Sequence, residues 1–180
     1  PRNRLVAGAL HGRSIATLLF DLLTPSEERD RANVFDIALL AGRLVRATAW
    51  LRERPEATGL PVGYFGASTG AGAALAAAAD LGHAIAAVVS RGGRPDLAGP
   101  RLPEVTAPTL LVVGGNDEVV LGLNREAEAR LRCPTRLEVV PGATHLFEEP
   151  GTLERVAALA AEWFAEHFAP NGRNGTTESG

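Results

Sequence analysis

An α/β fold, with a mostly parallel sheet flanked by helices on both faces, is predicted by three features of this 180-residue chain. Short apolar runs, of the kind that form strands covered on both sides, alternate with longer segments of helical periodicity. One of those runs, Pro61-Val62-Gly63-Tyr64-Phe65-Gly66-Ala67, passes through Ser68-Thr69-Gly70 directly into an alanine-rich segment, which reads as strand, sharp turn and helix. A hydrophobic content of 46% is enough for one domain with a real core. That domain is placed at residues 1–169, with a disordered tail over 170–180.

In chain order, Pro1 to Leu10 reads as a helix: proline suits a first turn, Leu5, Val6, Ala9 and Leu10 fall at helical spacing, and Gly12 stands where a helix stops. Ser14 to Asp21 is nearly all apolar and is predicted to be a buried parallel strand. A long amphipathic helix is expected from about Asn33 to Arg54, burying Ile37, Leu40, Ala41, Leu44 and Thr48, with Pro55 as its stop. Ala71 to Leu81 is a helix of small residues that can lie close to the sheet. Ala84 to Ser90 is a further strand, followed by an arginine- and glycine-rich turn. The proline-rich stretch from Leu97 to Pro108 reads as a loop or short lid. Strand Thr109 to Val113, helix Val119 to Leu131, strand Arg136 to Val140 and a closing helix Leu153 to Phe168 complete the pattern.

Composition narrows the function. Net charge is −3 with the charges interspersed, so no basic stripe for nucleic acid and no polybasic membrane patch is expected. A single cysteine rules out an internal disulfide framework, the first residues carry no signal-peptide pattern, and no apolar run reaches membrane-spanning length. A cytoplasmic protein with a small-molecule partner is the expectation. All 18 basic residues are arginine, and the lack of lysine excludes Schiff-base chemistry and a lysine-bearing phosphate loop. There is no methionine either, which implies that the chain does not begin at its own initiator.

Ser68 is the candidate nucleophile. In Gly66-Ala67-Ser68-Thr69-Gly70 the serine stands at the apex of a strand-to-helix turn, where its hydroxyl is pushed clear of the sheet and the following helix aims free N–H groups at the same place. Gly66 and Gly70 are both read as giving the turn its room. A plain serine N-cap would carry the same local pattern. Downstream, Asp117 and His145 each follow a predicted strand and a glycine turn, in Val113-Gly114-Gly115-Asn116-Asp117 and Val140-Pro141-Gly142-Ala143-Thr144-His145. In the order serine, acid, histidine, Asp117 would orient the imidazole and His145 would take the serine proton. Asp117 could instead cap the next helix, and Glu118 is a rival carboxylate. Because ligands in parallel sheets bind beyond the carboxyl ends of the strands, the three residues are expected to share one rim.

Other candidates read as structural. His11, His83 and His167 fall at a helix end, a helix-to-strand junction and within the last helix, and Cys133 before Pro134 reads as a packing residue. No His/Cys/Asp cluster has ligand spacing, so no metal is expected. Gly70-Ala71-Gly72 lacks the third glycine of a dinucleotide fingerprint, because Leu75 stands there, so no cofactor is expected. The turn Arg91 to Arg94 is taken as solvated, the other reading being contact with an anionic substrate.

With the elbow, Asp117 and His145 in this order, the chain resembles the α/β-hydrolase superfamily, and within it the dienelactone-hydrolase-like proteins, from Pro1 to about Phe168. The resemblance rests on Tyr64 to Gly70, Ala107 to Asp117 and Pro141 to His145. It implies a serine hydrolase acting by acyl transfer on a small ester, thioester or lactone, with the backbone N–H of Thr69 as one oxyanion-hole donor. Dienelactone hydrolases use a cysteine nucleophile where this chain has Ser68, so their substrate does not carry over. Members have a His-Gly-x-x loop after an earlier strand that supplies the second donor, and none is present here. The resemblance also implies a strand between the Ser14–Asp21 run and the Val62–Ala67 run, so that either a gap opens there or two unmatched edges pair. Relatives of this kind sometimes occur joined to phosphoribosyltransferase domains, so the alternative is a vestigial hydrolase-like module beside such a partner.

Overall fold

Four strands carry the domain: β1 (Gly63–Ala67), β2 (Ala87–Arg91), β3 (Thr109–Gly114) and β4 (Thr135–Val140). They form one sheet in the order β1-β2-β3-β4, every neighbouring pair parallel. The computed structural model describes residues 2–169, so Pro1 and the tail expected over 170–180 lie outside the described residues. β2 and β3 are continuous apolar runs because both their faces are covered. Val88, Val89 and Leu110 to Val113 are fully buried, as the parallel-strand reading requires.

Helices pack on both faces. On one side α1 (Arg2–His11) and α6 (Thr152–Phe168) bury Val6, Leu10, Val156, Leu159 and Phe164 against Ala87, Val89, Leu110 and Val112. On the other, α3 (Ile37–Arg52), α4 (Thr69–Leu81) and α5 (Glu118–Arg130) enclose a core built around Leu75, Ile85, Val88, Leu102 and Leu111. Strand side chains alternate between these two cores, residue by residue. The small residues of α4 let it sit against the sheet, and Ala71 to Ala78 are buried without exception.

Three sequence expectations need correction. The helix expected from Asn33 to Arg54 is broken: α2 (Arg31–Phe35) ends at Asp36, which takes non-helical dihedrals and caps α3 by accepting from the Leu39 N–H at 2.9 Å. An aspartate at such a point competes with the helix by bonding the backbone locally. The stretch after β2 is no lid. It forms 3₁₀ turns over Pro95–Glu104 that pack Ala98 and Leu102 into the core beside α4.

The third concerns Ser14 to Asp21, predicted as a buried strand. It is irregular and unpaired: Ser14 takes a left-handed φ of 58°, and among the described residues none of the backbone hydrogen bonds outside helices and strands engages residues 16–21. Leu18, Leu19 and Phe20 are 46%, 51% and 44% exposed. A cavity of about 960 Å³, lined by Leu18, Phe20, Leu40, Tyr64 and Phe65 among others, separates this segment from the free edge of β1. Paired strands lie about 4.8 Å apart, and nothing among the described residues fills the space between these two. Of the two outcomes anticipated, the gap is the one found. The segment is held instead at its ends, by the Ile15 N–H on Leu10 O at 3.0 Å and by Arg43, which bonds Leu22 O and Glu27 at 2.7 Å each.

Candidate active site

The turn between β1 and α4 is strained where chemistry would need it. Ser68 has φ 51° and ψ −126°, a region that residues with a Cβ rarely adopt. Its side chain makes no capping hydrogen bond, so the plain N-cap reading does not hold and the hydroxyl stays exposed. Gly66 makes the turn possible: a Cβ there would come within 2.5 Å of Gly70 O and 2.7 Å of the Ala71 backbone. Gly70, paired with it in the sequence reading, has open space at its Cβ position. The glycine that matters on the helix is Gly72, whose Cβ would sit 2.9 Å from Arg94 O. The elbow is anchored to the turn after β2 by the Arg94 N–H, which donates to Ser68 O at 3.0 Å. Thr69 is the first residue of α4, so its N–H has no partner within the helix.

Asp117 and His145 meet. The carboxylate Oδ2 lies 2.7 Å from His145 Nδ1, with the Asp117 side chain 14% exposed and that of His145 40%. Asp117 occupies the N-cap position of α5 but makes no side-chain cap bond, having turned to the imidazole, while Glu118 faces solvent. With Nδ1 engaged, Nε2 is the nitrogen free to exchange a proton.

His145 follows β4, which has two strands between it and β1, so its loop must run back over the sheet rim. Glycines let it. A Cβ on Gly114 at the end of β3 would fall 2.4 Å from Ala143 O, and one on Gly92 after β2 would fall 3.0 Å from His145 O. Asn116 stitches the loop to the end of β3, its N–H donating to Ala143 O at 2.9 Å and its Nδ2 to Gly142 O at 3.0 Å. Glu149 accepts from the Thr144 hydroxyl at 2.6 Å and the Thr144 N–H at 3.1 Å, and these bonds hold its carboxyl below the usual range. Phe147, buried with φ 54°, pins the far end.

The β1–β2 register pairs Ala67 with Arg91, which sets Ser68 beside Gly92, and Gly92 lies against His145. Ser68, Asp117 and His145 therefore stand on one rim. No hydrogen bond joins the Ser68 hydroxyl to His145 among the described residues.

The sequence reading gave Gly114 and Asn116 no role beyond the turn before Asp117, and missed Gly92 and Asn124. The last is wholly buried in α5, and its Nδ2 donates to Gly93 O at 3.0 Å, holding the turn that anchors the elbow. An asparagine on the buried face of an amphipathic helix is the signal that could have exposed it. Cys133 lies at the opposite end of the sheet, its Sγ 3.7 Å from Thr109 Oγ1. His11 bonds Thr17, and His167 packs edge-on against Trp163. Among the described residues no group of His, Cys, Asp and Glu is placed to hold a metal ion, and no helix is long and apolar enough to cross a membrane.

The family model described as the dienelactone hydrolase family matches residues 16–169. This chain belongs to the dienelactone hydrolase family. A crystal structure of a dienelactone hydrolase from Anabaena variabilis is 55% identical, with a TM-score of 0.88, covering 93% of this chain and 80% of that one. Est1E from Butyrivibrio proteoclasticus shares the fold at 16% identity, with a TM-score of 0.78 over 94% of this chain and 82% of its own. Two Mycobacterium tuberculosis proteins, provisionally named phosphoribosyl transferases, are 65% identical over 174 residues. That is 97% of this chain but 39% of theirs, so this family member spans about two fifths of the length of those curated relatives.

Proposed function

We propose that this hydrolase is a cytoplasmic serine enzyme that transfers the acyl group of a small ester, thioester or lactone to water through Ser68, His145 and Asp117. The observation that carries the reading is the Asp117–His145 hydrogen bond of 2.7 Å on the rim that also bears the strained Ser68. Ser68 Oγ attacks the acyl carbon and its proton passes to His145 Nε2, while Asp117 stabilises the imidazolium. The oxyanion accepts from the Thr69 N–H. As the bond to the leaving oxygen or sulfur breaks, His145 returns the proton to it. Water, deprotonated by His145, then attacks the acyl-serine and regenerates the hydroxyl.

Stopped-flow mixing with 4-nitrophenyl butyrate tests this. The expected record is a burst approaching one nitrophenolate per chain, followed by slower turnover, both absent in Ser68→Ala. A burst that survives in Ser68→Ala would overturn the assignment.

The Mycobacterium relatives support a second reading, in which this domain is a vestigial module serving an attached phosphoribosyltransferase domain. It makes no demand on Ser68, so the same experiment separates the two.

A further inference from the structure

β4 forms one margin of the sheet, and among the described residues no element pairs with its outer edge. The Thr109 N–H donates to Pro134 O and the Gly115 N–H to Val140 O, each at 2.9 Å, so the even-numbered residues from Pro134 to Val140 turn their backbone groups toward β3. Direction alternates along a strand, and the N–H and C=O groups of Thr135, Leu137 and Val139 therefore point outward. None of the hydrogen bonds among the described residues takes them up. Native sheets blunt such edges with proline, bulges or charges that repel a second strand. Thr135–Val140 holds no proline, and it keeps an unbroken one-to-one register with β3. Its two charges, Arg136 and Glu138, have opposite sign and flank Leu137 symmetrically. They share a face of the strand, where Arg136 Nε lies 3.2 Å from Glu138 Oε1 and the guanidinium lies 5.3 Å from the Trp163 ring centre.

We propose that this edge binds a second copy of the chain, β4 against β4, antiparallel about a twofold axis at Leu137, so that two sheets join into one. In that register Leu137 faces its own equivalent and Thr135 faces Val139, which brings all the outward backbone groups together as hydrogen-bonded pairs. Arg136 faces Glu138 of the other copy in the positions between, where side chains of opposed strands come closest. Two ion pairs thus form across the axis, in addition to the pair within each strand. Charge also fixes the register. A slip that keeps the hydrogen bonds sets Arg136 against Arg136, or Glu138 against Glu138, and like charges directly opposite destabilise a strand pair. Because the strands run in opposite directions, the two rims that bear Ser68 lie at opposite ends of the joined sheet, and each copy keeps its own site. The inference is independent of the acyl-transfer reading.

Sedimentation equilibrium of the 180-residue chain tests this. A short edge makes a small interface and small interfaces bind weakly, so the concentration is varied from about 1 to 200 µM. The wild type is expected to move from one chain per particle toward two. Arg136→Glu and Glu138→Arg each set like charges across the axis, and each should stay monomeric over the whole range. Mixed in equal amounts, the two variants should associate, because each then meets the opposite charge on the other. The double variant Arg136→Glu/Glu138→Arg should dimerise as the wild type does. Association in the mixture also shows that the single variants are folded. A wild type that is monomeric at the highest concentration, a dimer in either single variant, or a mixture that stays monomeric would overturn the proposal.

Discussion

Asp117→Asn is expected to lower kcat for an activated ester by about 10⁴-fold, the scale on which loss of the orienting carboxylate acts in other hydrolases. The reason is local. Asp117 Oδ2 holds His145 Nδ1 at 2.7 Å, and this fixes the ring nitrogen that carries the proton and stabilises the imidazolium formed during attack. An asparagine fills the same space but can present an N–H to Nδ1, favouring the wrong tautomer. Little change in KM is expected, because the group acts on the transition state rather than on binding. Steady-state kinetics with 4-nitrophenyl acetate, checked against an unchanged circular dichroism spectrum, decides it. A loss of less than tenfold would show that His145 does not depend on Asp117.

Hydrogen exchange should split the molecule along the gap. Amides of residues 16–20 have no backbone partner among the described residues and face a cavity of about 960 Å³, whereas β2 and β3 are bonded on both sides and, Arg91 apart, buried. Exchange at 16–20 is expected to run at least about 10³-fold faster than in β2 and β3, since local opening there breaks no sheet. Mass spectrometry of peptic fragments measures the contrast. Equal protection of the two regions would mean that Ser14 to Asp21 pairs with the sheet in solution, as its apolar run predicts.

That discrepancy shows where the sequence could and could not be read. The strands β2 and β3, the helices α4 to α6 and the order Ser68, Asp117, His145 were legible, because hydrophobic period and post-strand glycine turns are properties of short segments. An apolar run specifies a buried strand only when a neighbour supplies the other half of each hydrogen bond, and residues 15–21 have no such neighbour among the described residues. Asp36 broke a helix through one cap bond, a local competition that the apolar stripe on either side conceals. Gly70 looked equivalent to Gly66, yet only Gly66 meets backbone atoms, since the crowding arises from the path of α4 across the strand. The glycines that carry the His145 loop back over the sheet, Gly92 and Gly114, are functional through contacts made across more than twenty residues, which no local motif encodes.

The most direct measurement is covalent labelling by a fluorophosphonate followed by peptide mapping. One phosphonyl adduct per chain is expected, on Ser68 alone, absent in Ser68→Ala and formed far more slowly in His145→Ala. An adduct on any other serine, or equal labelling rates in the wild type and His145→Ala, would contradict it.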